Sequence, residues 1–122
     1  MYMDSQKVVE LAAKAADDLK AVNIKLIQID MVSSIADWIM ITEGLSAVQV
    51  RSIIKSIEDR LNQTANLIPL RKEGIIEAKW ALLDYGDIII NVLQPTERKY
   101  YELESFWSNG IIYNYETNQL SR

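Results

Sequence analysis

Neither cysteine nor histidine occurs among the 122 residues, and those two absences remove much of the side-chain chemistry from which enzyme and metal sites are built. Without cysteine there is no disulfide framework, thiol nucleophile or thiolate metal ligand. Without histidine there is no Ser-His-Asp triad, Cys-His pair or imidazole zinc site. Four glycines and two prolines form no linker-like stretch, and no repeat or low-complexity segment is present. Long apolar runs are missing too: Ile88 to Leu93 is too short and too interrupted to cross a bilayer. With no signal-like leader, the expectation is a cytoplasmic protein that does not engage membranes.

What is present fits one compact domain. A mass of 14.0 kDa with 49% hydrophobic residues is enough for a genuine core. The expected domain covers residues 1–110, with 111–122 as a tail that is either an added strand or loose. Seventeen acidic against 13 basic residues leave a net charge of −4, which gives no broad field to attract a phosphate backbone. Nucleic acid is therefore not expected as the primary partner, and a basic protein fits better.

Periodicity outlines the elements. Ser5 is a candidate N-cap for a helix along Val8, Val9, Leu11, Ala12, Ala15, Ala16 and Leu19. Strand-like runs follow at 24–30 and 37–42, joined through Ser33-Ser34 and expected to pair. Ser46 with Gln49 has the capping-box pattern for a second helix along Val50, Ile53, Ile54, Ile57 and Leu61, whose outer face carries Arg51 and Lys55 as an ordinary solvated surface. A short strand at 67–71 precedes a hairpin, and Pro95 opens a last helix expected to run through Tyr100, Leu103 and Trp107, a stripe assigned to core or self-association. The order predicts an α+β layered fold, a mixed sheet of about five strands flanked by helices.

The hairpin, Trp80 to Val92, is the most informative segment. Two apolar runs flank Tyr85-Gly86, read as a two-residue turn, so that Asp84 and Asp87 face each other. In that register Trp80, Leu82, Asp84, Asp87, Ile89 and Asn91 share one face, and Ala81, Leu83, Ile88, Ile90 and Val92 share the core face. Like charges placed opposite each other are unfavourable unless something uses them, and an apolar patch ending in acids suits a protein interface. The plainer alternatives are core packing for Trp80 and a solvated salt bridge from Asp84 to Lys79 or Arg71. Asp84 and Asp87 are also the obvious ligands for a magnesium ion, but Gly44-Leu45-Ser46 lacks the second glycine and the lysine of a phosphate loop.

The hairpin, read with Arg98-Lys99-Tyr100-Tyr101-Glu102-Leu103-Glu104 and Phe106-Trp107, resembles the ribosomal silencing factor (Iojap-like) family. Further pieces stand upstream in family order: Ser33-Ser34-Ile35-Ala36-Asp37, Gly44-Leu45-Ser46, Gln49-Val50-Arg51, Pro69-Leu70-Arg71 and Glu73-Gly74. The resemblance implies a nucleotidyltransferase-like fold without the catalytic motif, no enzymatic activity and no cofactor. It implies a homodimer when free. It also implies a translational repressor that binds the large ribosomal subunit through its fourteenth protein (uL14) and keeps the small subunit from joining. On that reading Trp80 and Leu82 are apolar anchors, Asp84 and Asp87 accept from lysine or arginine of the basic partner, and Tyr85, Glu73 and Lys79 form the rim. Two departures stand out. Asn91 occupies a position where the family commonly has histidine, and Leu45, Ala47 and Val48 are more apolar than the usual polar turn. The alternatives are an interaction dimer acting on another partner and a magnesium-dependent nucleotide enzyme.

Overall fold

Asp4, in an extended conformation, accepts a hydrogen bond from the Lys7 amide and opens helix α1 (Ser5–Asp18), one residue ahead of the cap expected at Ser5. The computed structural model describes residues 3–116 and 119–122. Helix α2 (Ala47–Ala65) begins at Ser46, whose hydroxyl accepts from the Gln49 amide at 3.1 Å, while the Gln49 side chain accepts from the Leu45 amide at 2.7 Å. Asn66, at φ 55° and ψ 41°, closes it in the left-handed conformation that asparagine tolerates. Among the described residues no helix is long and apolar enough to cross a membrane.

Strands β1 (Val22–Gln28), β2 (Trp38–Glu43), β3 (Arg71–Glu73), β4 (Trp80–Asp84), β5 (Ile88–Leu93), β6 (Ile111–Glu116) and β7 (Gln119–Ser121) form one mixed sheet in the order β3-β4-β5-β2-β1-β6-β7. Among the described residues only β2 and β5 run parallel; every other neighbouring pair is antiparallel. The α+β layering expected from the sequence is therefore found, with seven strands in place of about five. The two extra strands come from residues after Gly110, where β6 pairs with β1 across Lys25–Gln28. Of the two readings left open for that segment, the added strand is the one the chain adopts.

Two apolar layers flank the sheet. On one face α1 and α2 cover Leu26, Trp38, Met40, Ala81, Leu83, Ile90 and Val92 with Val9, Ala12, Ala16, Ile53, Ile57 and Leu61. Burying each large aliphatic side chain contributes about 1.5–3 kcal/mol. On the other face Ile27, Ile29, Ile39, Ile41 and Leu93 make a smaller core, against which Trp80, Ile89, Leu103, Trp107 and Ile112 pack. Residues 38–42 of β2 are buried on both sides, as befits a strand inside the sheet.

The last helix is not continuous. Helix α3 (Pro95–Tyr101) ends at Glu102, which takes φ 47°, and α4 (Leu103–Phe106) starts after the break. Arg98 explains the bend. Its guanidinium is 5% exposed and donates to the Asn23 carbonyl at 2.6 Å, Glu43 at 3.2 Å and Glu104 at 2.9 Å. To bring Glu104 back to Arg98 the chain must turn at Glu102. The stripe Tyr100, Leu103, Trp107 is broken by that turn: Leu103 and Trp107 pack on the second core, whereas Tyr100 is 78% exposed.

Candidate functional site

The loop before β4 fixes where Trp80 begins. Gly74 has φ 74°, and a Cβ there would stand 2.0 Å from the Trp80 carbonyl oxygen, so only glycine lets the loop cross so near. Arg51 is exposed on the outer helix face, as expected, and there donates to the carbonyls of Ile75 at 3.2 Å and Ile76 at 2.6 Å. Gln94 ties the other end, its side chain donating to the Ala78 carbonyl and its amide to the Lys79 carbonyl.

Strand β4 alternates as expected. Ala81 and Leu83 are buried beneath the helices, and Trp80, Leu82 and Asp84 are half-buried on the opposite face. The register differs from the one read in the sequence. Tyr85 bonds to Ile88 across the turn, so the central residues are Gly86, at φ 89°, and Asp87. Glycine at the first central position satisfies a two-residue hairpin equally well. Pairing therefore shifts by two residues, which preserves the faces but changes the partners: Asp84 stands opposite Ile89, Leu82 opposite Asn91 and Trp80 opposite Leu93.

The expected pair of facing carboxylates does not form. One Asp84 oxygen accepts from the Gly86 amide at 2.8 Å, and the other lies 3.5 Å from Arg71, the arginine named in the salt-bridge alternative. Asp87 sits exposed at the turn, and its carbonyl accepts from the Asp37 and Trp38 amides. Among the described residues no cluster of three or more histidine, cysteine or acidic side chains is arranged to hold a metal ion.

Tyr85 also departs from its expected place at the rim. Its ring turns to the helical side, packs against the larger core and lines a cavity of about 180 Å³ with Met3, Val8, Ala65 and Leu67. The buried hydroxyl has no hydrogen-bond partner among the described residues. Burial, with the Glu58 carboxylate as the lesser cause, pushes this phenol well above its ordinary value.

The remaining rim residues divide. Glu73 stands opposite Leu82 on β3 and pairs with Arg71 at 3.0 Å, which sets it on the Trp80 face. Lys79, the residue before Trp80, is exposed. One arginine thus serves both Glu73 and Asp84, so the charged border is a mixed row of exposed side chains.

At the centre of the face the Trp80 indole N–H donates to the Asn91 side-chain oxygen at 2.9 Å, and Asn91 donates to the Met40 carbonyl at 3.3 Å. Trp80 is half-buried and packs on the smaller core. Above it lies a residue the sequence reading did not single out: Tyr101, 51% exposed, with ring centroids 4.9 Å apart at 50°. Tyr100 meets Tyr101 edge-on at 4.9 Å and extends the aromatic row outward. Nothing in the sequence marks Glu102 for positive φ, and that turn breaks the simple helical stripe from which Tyr100 was read as buried.

The family described as "Ribosomal silencing factor during starvation" (RsfS) matches residues 2–121. The chain is similar to ribosomal silencing factor RsfS of Bacillus subtilis, 36% identical over 109 residues that span 88% of this chain and 91% of that one. A solved structure from Chromobacterium violaceum superposes with a TM-score of 0.84 at 28% identity, covering 87% of this chain and 88% of the other. A second, from Bacillus halodurans, gives 0.74 at 33% identity over 84% and 95%.

Proposed function

The chain belongs to the ribosomal silencing factor family, and from that premise we propose that it represses translation by docking on the large ribosomal subunit through uL14 and excluding the small subunit. Inhibition of this kind is steric. It requires affinity and position and no bond making, in keeping with a regulatory factor that acts without catalysis in the cytoplasm.

The observation that carries the reading is the half-buried Trp80 indole, held by Asn91 and met at a tilt by the half-exposed Tyr101 ring. Tryptophan and tyrosine are enriched among the few residues that dominate interface energetics, and an indole already fixed in position has less rotamer entropy to lose on binding. Leu82 widens the apolar centre. Glu73 and Asp84 offer carboxylate oxygens to a basic partner, with Lys79 exposed at the border and Arg71 moderating the local charge. Tyr85 and Asp87 are left out of this surface because the observed turn takes them elsewhere.

Co-sedimentation with purified large subunits tests the assignment. Trp80→Ala is expected to weaken attachment by more than about 2 kcal/mol, whereas neutralising Glu73 mainly alters salt sensitivity. Wild-type attachment by a folded Trp80→Ala variant rules the anchor out.

Self-association is a second reading favoured by a specific observation. Tyr100 on α3 and Phe106 on α4 are 78% and 75% exposed, aromatic surface of the kind that an interface covers. A homodimer covering this face when free would have to part before docking, so adding large subunits should convert dimer to bound monomer in sedimentation velocity.

A further inference from the structure

The loop joining β1 to β2 holds three apolar side chains in water: Met31 is 86% exposed, Val32 52% and Ile35 55%. Backbone bonds fasten this loop. Ile29 donates to the Asp37 carbonyl at 2.9 Å, Val32 and Ser33 both donate to the Ile29 carbonyl, and the Ile35 amide donates to the Ser33 hydroxyl. The Asp37 and Trp38 amides bond to the Asp87 carbonyl, which joins the loop to the hairpin tip. The exposed side chains are therefore presented by a tethered backbone.

Between loop and tip lies a groove of about 740 Å³ lined by Met31, Val32, Ile35, Gly86 and the acids Asp30, Asp37 and Asp87. Leu70, 76% exposed, comes to the tip, its Cδ1 3.4 Å from where a Cβ on Gly86 would stand. None of the three carboxylates forms an ion pair among the described residues, and no basic side chain lines the groove. Unpaired acids repel nucleic acid and anionic lipid while favouring a cationic partner, and exposed apolar side chains among them supply area for contact.

We propose that this groove docks a basic segment of a partner protein, one carrying an apolar side chain among its lysines or arginines. The groove lies at the hairpin tip and Trp80 at the opposite end of β4, about 13 Å away along a five-residue strand. This surface is distinct from the aromatic one, and either assignment can fail alone.

Titrating the uniformly ¹⁵N-labelled full chain with two synthetic peptides tests the proposal. One is lysine-rich with a single leucine, and the other has glutamate replacing each lysine. The lysine peptide should move the amide signals of Met31, Val32, Ile35, Gly86 and Asp87 saturably, and the glutamate peptide should leave them in place. Asp30→Asn with Asp87→Asn should weaken that binding by about tenfold. Met31→Ser with Ile35→Ser should also weaken it; these exposed positions leave the rest of the spectrum as a control on folding. Trp80→Ala, which tests the ribosome reading, should leave the titration unchanged. Absence of movement, equal movement with both peptides, or shifts concentrated at Trp80 and Leu82 would overturn the proposal.

Discussion

Two side chains on the hairpin illustrate how a polar atom decides the use of an aromatic ring. Trp80 has an N–H that needs a partner when water is partly excluded, and Asn91 supplies one while anchoring itself to the Met40 carbonyl. Asparagine does not titrate, so this support is constant across neutral pH, unlike a histidine at the same place. Tyr85 is the opposite case, because its buried hydroxyl has no partner among the described residues. Removing such a group relieves a desolvation cost, so Tyr85→Phe should stabilise the fold by about 1 kcal/mol in urea denaturation. The pH dependence has a definite sign. Burial first and Glu58 second raise the folded phenol above the ordinary 10.0, so the unfolded chain loses that proton first. Wild-type stability is unaffected by this group below pH 10.0 and falls as pH climbs above it. The advantage of Tyr85→Phe should therefore widen above pH 10.0, and a variant less stable than wild type at neutral pH would contradict the unpartnered hydroxyl.

At the scale of elements, Arg98 joins four of them: it reaches β1 through Asn23, β2 through Glu43 and α4 through Glu104 from its own place on α3. Arg98→Met should cost about 3 kcal/mol or more in chemical denaturation, since Glu43 and Glu104 would keep their charges without the guanidinium between them. Arg98→Lys should recover only part, because one ammonium cannot reproduce the fork that spans these acceptors. A loss below about 1 kcal/mol for the methionine variant would mean that the carboxylates are already well solvated. The same contacts mark where sequence legibility ended. Alternation in β4 and β5 and the apolar stripes of α1 and α2 were readable because side-chain period fixes which face is buried. The faces of Trp80, Leu82 and Asp84 survived a wrong turn position because the shift was two residues, an even number. Tyr85, Asp87 and the break at Glu102 were not readable: the first two depended on turn centring, and the last on a contact between residues that periodicity treats as an uninterrupted helix. Tyr101 escaped for the same reason, since it meets Trp80 across elements separated in the chain.

Across the whole molecule, the aromatic face and the end of the chain lie toward opposite edges of the sheet: β4 is second from one edge and β6 second from the other. The division into residues 1–110 and a tail left the structure of that second edge open, and the packing gives the edge a role that can be tested. Strand β6 pairs with β1 through Lys25–Gln28 and sends side chains into both layers. Tyr115 is 6% exposed in the larger core, Tyr113 approaches Trp38 with ring centroids 5.8 Å apart, and Ile112 packs on the smaller core. Ending the chain after Gly110 would bare β1 as an apolar edge, a ready template for aggregation, while opening space beside Trp38 and Ile27. The truncated chain is expected to melt more than about 10 °C below the full one, since each kcal/mol lost shifts a domain of this size by several degrees, and to associate on heating. A melting point within a degree or two of the full chain would instead establish 1–110 as an autonomous domain. Docking provides a second reading of the same variant. The Trp80 face draws its support from β4, β5 and α3, so at temperatures where the truncated chain is still folded it should bind large subunits as well as the full chain does. Weaker binding from that folded population would mean that β6 or β7 belongs to the contact surface.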